Sequence, residues 1–279
     1  MLKVLKSGFY TTIQDTGRFG LRDKGVPISG IMDMETVSKL NALLENKEDA
    51  AVLEITMTGP TLEFEEDTFI TLGGAEFSIT LNNEPIDGFT VIKIKAGDIL
   101  SYGRLKKGFR GYLAIKGGFK SDKVLNSRSY YPSINPKGII KDRALIPYEK
   151  TDTFKPKLSE MKVDDLLDEN ILQVGKGPEF MLLSDKQLEY LFFKEFTVAN
   201  ENNRMAYQLN EELSGHKVSM LTSATLPGTV QFTPSGKLII LMKDGQTTGG
   251  YPRILQLTDK AISILAQKKA GDTIKFKLI

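Results

Sequence analysis

The sequence predicts a mainly β protein of two lobes with a few short helices. Three observations carry that expectation. Apolar and polar residues alternate in strand fashion through most of the 279-residue chain. Gly, Asn or Asp stands at nearly every break in that alternation, and only three stretches space their apolar residues as a helix does. The length holds one large domain or two ordinary ones with a real core. Apolar content of 41% and charged content of 26% are those of a globular protein. A net charge of +2 gives no electrostatic case for nucleic acid or a membrane surface. The absence of cysteine excludes disulfides, a thiolate nucleophile and zinc–thiolate sites. No metal site is expected, and the single histidine, His216, reads as a turn residue beside Gly215 rather than a catalytic base. The N-terminus turns polar too early for a signal peptide and no run of about 18 apolar residues occurs, so a cytoplasmic location is expected.

Taken in order, Met32–Asn46 has helical spacing, with Asp33 as N-cap and Glu35 and Glu45 outward. Thr61–Leu72 alternates as one half-buried strand. Phe77–Ile86 places Asn82-Asn83 between two alternating segments, which predicts a hairpin. Thr90–Gly103 and Gly108–Gly118 repeat the strand pattern. Residues 151–170 are charged and lack it, so they read as a linker between an N-terminal lobe, 1–150, and a C-terminal lobe, 171–279. The second helix opens at Ser184, with Gln187 three residues on as a capping box. The third covers Asp259–Lys268. Lys93–Leu105 and Gln267–Ile279 echo each other around Ala-Gly-Asp, which a shared turn type explains as well as duplication does.

Four segments carry more glycine and polar residues than their flanking strands need: Gln14–Asp33, Tyr112–Phe119 with Asn126–Ser129, Leu226–Gly236, and Lys243–Arg253. The last, KDGQTTGGYPR, joins two apolar runs that a two-residue turn such as Asp244-Gly245 would suffice to connect as a hairpin. Backbone amides, hydroxyls and guanidinium groups suit carboxylate or phosphate oxygens. Turn punctuation of a barrel explains the same composition. No Walker A, dinucleotide GxGxxG or HExxH pattern is present to decide between them.

The strings QDTGRFGLRDKGVPISGIMD, LEITMTGPTLEF, GYLAIKGGF with NSRS, and DGQTTGGYPRI occur in that order from about Gly8 to the C-terminus. Together they resemble one family, known as allophanate hydrolase subunit 2, as biotin-dependent carboxyltransferase, or as the C-type subunit of 5-oxoprolinase. The chain departs from the family's usual text at NRMAYQL (Asn203–Leu209) and at SATLPGTVQFTPSG, while keeping Arg204, Pro227, Gly228 and Gln231.

The resemblance implies two joined cyclophilin-like β-barrels and a smaller partner, the B-type (kinase-inhibitor-like) subunit. With a separate A-type subunit, that pair opens 5-oxoproline to glutamate at the expense of ATP, which travels with Mg2+. A similar module serves as the carboxyltransferase of urea carboxylase, and the family includes an antagonist of a sporulation kinase inhibitor. In the carboxyltransferase case biotin would arrive on another chain, since no Met-Lys-Met context is present. Positioned cations and amide donors around phosphoryl oxygens are what an ATP-driven lactam opening requires. On this reading Asp15, Arg18, Lys116 and Arg253 carry the chemistry. Gln14, Ser29, Gly117, Gly118, Ser127, Arg128, Arg204, Gln231, Gln246, Thr247, Thr248, Gly249 and Gly250 line the substrate and nucleotide.

Overall fold

A computed structural model gives the structure of the chain and describes residues 1–163 and 166–279, so Asp164 and Asp165 of the expected linker lie outside the described residues. Chain contacts divide it into two compact units, Met1–Arg18 with Ser29–Leu167, and Phe19–Ile28 with Asp168–Ile279. Both are β structures, and the described residues hold three α-helices.

The first unit is a nine-stranded sheet. Its main path runs Tyr10–Gln14, Val52–Thr56, Ile99–Ile115, Thr61–Phe64, Leu2–Lys6, Leu145–Ile146. The long strands Thr68–Leu81 and Ile99–Ile115 pair antiparallel, with register shifts between Gly74 and Ile79 that bend the hairpin. The turn after Leu81 is the one the Asn pair predicts: Asn82 and Asn83 take φ of 52° and 70°, and the chain folds back onto Glu84–Pro85. Thr61–Leu72, expected as one strand, is two. Three consecutive carboxylates, Glu65–Asp67, break the alternation, and the pairing with Leu2–Lys6 runs out at the bond from Glu65 N to the Met1 carbonyl. Leu2, Val4, Leu53, Ile55, Leu62, Phe64, Leu113 and Ile115 fill the core at 0% exposure. Each such side chain contributes about 1.5–3 kcal/mol relative to an exposed position.

The helix α1 (Met34–Leu43) seals the other face of this sheet, packing Val37 and Leu40 against Val52, Tyr112 and Ala114. Asp33 is its N-cap, accepting from Thr36 N at 3.0 Å. Part of the charged stretch after residue 150 also belongs to this unit. Phe154 meets Phe69 edge-on at 5.3 Å, and Val91 N and Met161 N bond the carbonyls of Ser159 and Phe89.

The second unit is a closed barrel of seven strands. The order is Ile171–Lys176, Arg253–Leu257, Thr229–Phe232, Leu238–Leu241, Ala206–Leu209, Phe196–Asn202 and Thr273–Leu278, which pairs in parallel with the first. The helix α2 (Asp185–Phe193) starts with the expected capping box, and α3 (Asp259–Ala266) is capped by Thr258. The two Ala-Gly-Asp turns share one geometry: Asp98 accepts from Lys95 N at 2.8 Å, and Asp272 from Lys269 N at 2.9 Å.

The barrel order explains the length of KDGQTTGGYPR. Leu238–Leu241 and Arg253–Leu257 are not neighbours, because each pairs with Thr229–Phe232 lying between them. The connection must therefore span about 10 Å across an intervening strand, which a two-residue turn cannot do.

Candidate functional site

In the first unit the polar loops converge on Asp15. Its carboxylate accepts from Gly17 N, Ser127 Oγ, Arg128 N and Ser129 Oγ at 2.6–2.9 Å. Four donors use the acceptor capacity of one carboxylate, so Asp15 clasps the loop after Gln14 to the NSRS segment. Arg18, 1% exposed, donates to the carbonyls of Val124 and Ser129. Gln14 donates its amide to Thr12 Oγ1 at 3.0 Å. Its Oε1, and the hydroxyl of Ser29, are buried without a partner among the described residues.

Lys116 ends the long strand. Its ammonium donates to the Leu44 carbonyl at 2.6 Å and lies 4.1 Å above the Phe154 ring, and burial lowers its pKa below the ordinary lysine value. Gly117 N donates to Asn46 Oδ1 at 2.7 Å, and Gly118 N to the Ile115 carbonyl. Lys116, Gly117 and Arg128 border one pocket of about 350 Å³. The clasp and the pocket thus meet at Arg128, whose backbone N–H is held by Asp15 and which borders the pocket.

A buried charge network that sequence reasoning missed lies beside α1. Glu54 Oε2 accepts from Met32 N at 2.9 Å and from the Tyr112 hydroxyl at 3.0 Å, and Arg110 Nε stands 3.9 Å from Glu54 Oε1. Burial and then the Glu54 charge push the Tyr112 phenol well above its ordinary pKa. A cavity of about 780 Å³ is bordered by Asp33, Gly73, Gly74, Phe77 and Phe89 and contains none of the expected site residues. Nothing in local sequence marks either feature, because both are assembled from separate strands.

In the second unit, two of the expected arginines face internal carboxylates. Arg204 forks onto Asp244 at 2.8 and 3.2 Å, and both are buried. Arg253 forks onto Glu179 at 2.9 and 2.8 Å and also donates to the Ala224 carbonyl. The oxyanion that Arg253 holds is thus the protein's own. Gln231, Gln246 and Gly249 come together: Gln246 Nε2 is 3.5 Å from Gln231 Oε1, and the buried Gln231 Nε2 has no acceptor among the described residues. A Cβ on Gly249 would lie 2.3 Å from Gln231 Nε2, so a larger residue there would push that amide aside. The segment is pinned by Thr225, whose N–H and hydroxyl bond the Thr247 and Gln246 carbonyls, and by pairing of Ser223–Ala224 with Thr248–Gly249. The side chains of Gln246 and Thr248 are exposed, as is Gly250.

His216 is spent locally. Its Nδ1 accepts from Val218 N, which leaves Nε2 as donor to the Phe232 carbonyl at 3.1 Å. Among the described residues no group of three or more His, Asp or Glu could hold a metal ion, and no helix is long and apolar enough to cross a membrane.

A family model described as "carboxyltransferase domain, subdomain A and B" matches residues 24–278. The chain is 34% identical to the C-type subunit of 5-oxoprolinase from Haemophilus influenzae, over its full length and 91% of that protein. It is 33% identical to the corresponding 5-oxoprolinase subunit of Escherichia coli, over 99% of this chain and 90% of that one. Among solved structures, the Kluyveromyces lactis urea carboxylase superposes with a TM-score of 0.89 at 27% identity. That match covers 99% of this chain but only 27% of the urea carboxylase chain.

Proposed function

The chain belongs to the carboxyltransferase domain family, subdomain A and B, and from that premise we propose that it is the C-type subunit of an ATP-dependent 5-oxoprolinase. One observation carries the reading: identity reaches 33–34% with two proteins named as C-type subunits of 5-oxoprolinase, and it extends over nine-tenths of each. The chain works with a B-type subunit and a separate A-type subunit, in the cytoplasm where ATP is available. ATP, with its Mg2+, would supply a phosphoryl group to the lactam oxygen; one water added to that carbon with cleavage of the C–N bond would give glutamyl phosphate, and a second water would release glutamate and phosphate.

This chain's contribution is to bind and orient. The Gln231 and Gln246 amides over Gly249 are donors suited to a carbonyl or carboxylate oxygen of the lactam, and the hydroxyls of Thr247 and Thr248 stand on the same segment. Fixed donors of this kind act by holding groups in place rather than by covalent chemistry. Asp15, Arg18, Arg204 and Arg253 serve as positioning residues that hold the loops. A second reading, carboxyltransfer to urea from biotin carried on another chain, is favoured by the 27–28% identity to urea amidolyases of Lachancea kluyveri and Saccharomyces cerevisiae.

The test is reconstitution. Mixed with B-type and A-type subunits, the chain should co-elute with the B-type subunit and support 5-oxoproline-dependent release of ADP and glutamate, while alone it should be folded and inactive. An assembled complex that consumes ATP with urea and carboxybiotin, and not with 5-oxoproline, replaces this reading by the second. A complex that forms but turns over neither substrate leaves a binding role.

A further inference from the structure

The protein carries a net charge of only +2, yet one pocket in the first unit concentrates a larger surplus. Five cations border the 350 Å³ space at the end of the strand Ile99–Ile115, namely Lys47, Lys116, Lys120, Lys123 and Arg128, against two carboxylates, Glu45 and Asp49. Lys116, Lys120, Lys123 and Arg128 lie within residues 116–128, and the fold brings Lys47, from the turn after α1, to the same space.

Their existing partners leave much of that charge available. Glu45 is occupied by the backbone N–H of Lys157. Lys123 meets Asp49 at 3.8 Å and Lys120 meets Glu149 at 3.2 Å, with exposed members in both pairs. Such pairs are worth little in water and exchange readily for a more highly charged partner. The Lys47 ammonium and the Arg128 guanidinium have no ion pair among the described residues. The floor is rigid: Asn46 holds Gly117 N and the Ile115 carbonyl at 2.7 and 2.9 Å, and Asp15 fixes the backbone of Arg128. Lys116 is partly desolvated, which strengthens its pull on an anion that enters beside it.

We infer that this pocket binds a chain of two or three phosphoryl groups, with Lys47 and Arg128 as its principal contacts. A single carboxylate or orthophosphate reaches too few of these cations at once, whereas a polyphosphate bridges several. The inference rests on the ATP-dependent reading above for its natural ligand and deepens it by giving the phosphate chain a place and adding Lys47, Lys120 and Lys123 to the expected residues.

Calorimetric titration of the full chain with inorganic tripolyphosphate tests it without any turnover. Binding is expected, weakened at least about tenfold by Lys47→Ala and by Arg128→Ala, and weakened further when salt rises from about 50 to about 300 mM. Lys47 is exposed in a loop, so its variant folds, and Lys186→Ala on α2 should bind like the parent. Orthophosphate should bind at least about tenfold more weakly than tripolyphosphate. ATP binding as tightly as tripolyphosphate would mean the pocket reads only the phosphate chain, and tighter ATP binding would mean that a nucleoside triphosphate is its source. No tripolyphosphate binding, unchanged affinity in both variants, or equal affinity for orthophosphate would overturn the inference. Binding without 5-oxoproline turnover in the reconstituted complex sinks only the proposed function, and turnover without binding sinks only this site.

Discussion

Glu179 and Arg253 form the bidentate pair that ties the strand Arg253–Leu257 to the turn before Phe180, with Arg253 N adding a third bond at 2.9 Å. Hydrogen bonds from the Arg253 side chain hold the Glu179 carboxyl below the ordinary glutamate range. A carboxylate whose pKa is depressed by folding contributes stability above its unfolded value, about 4.3, and loses it as the pH falls through the folded value. Glu179→Gln should therefore cost roughly 1.5–3 kcal/mol near neutral pH, the scale of charge-assisted hydrogen bonds. The gap to the parent should narrow in acid below about pH 4. Urea denaturation at the two pH values checks this, and a gap that stays constant would remove the ion pair as its cause. The sequence marks Arg253 as a fork for an oxyanion but not which oxyanion, because Glu179 lies 74 residues away and only the fold brings the two together. The same holds for Arg204 and Asp244, 40 residues apart.

At the scale of elements, the connection Lys243–Pro252 separates two demands, crossing a strand and presenting polar groups. Its length answers the first, since the strands it joins flank Thr229–Phe232. Replacing Gln246–Gly250 by an equally long Gly-Ser segment should keep a cooperative unfolding transition, with a loss under about 2 kcal/mol. Shortening the connection to Asp-Gly alone should abolish that transition, because Leu238–Leu241 and Arg253–Leu257 could then pair only with each other. Circular dichroism with urea denaturation distinguishes the two, and a cooperative shortened variant would refute the crossing. Elements set by local chemistry are legible in the sequence: the caps Asp33 and Ser184, the Asn82-Asn83 turn, and the paired Ala-Gly-Asp turns. The order of strands in the barrel is not, because it depends on pairing between distant residues, and so the length of this loop reads as a sign of function when topology alone requires it. Its composition is the part that topology leaves unexplained, above all Gln246 and Gly249 against the buried Gln231 amide.

For the molecule as a whole, the first unit takes Phe154, Ser159 and Met161 from the charged stretch after residue 150, and the excursion of Phe19–Ile28 into the second unit lies hidden inside a glycine-rich loop. One bond shows how that segment is held: Arg22 Nη2 donates to the Thr225 carbonyl, and partial burial lowers the Arg22 pKa from its ordinary value. Thr225 in turn holds Gln246 and Thr247, so Arg22 steadies the second unit's polar loop from the far end of the sequence. Arg22→Ser in the full chain should free that loop without disturbing the first unit's core. Local opening free energies differ between cooperative units, so the effect should be regional. Amide hydrogen exchange should quicken by roughly tenfold at Thr225, equivalent to about 1.4 kcal/mol, while Leu53, Ile55 and Leu113 keep the parent's protection. Equal loss of protection at Leu53 and at Leu255 would mean that the chain opens as one body and that residues 19–28 are not a part of the second unit alone.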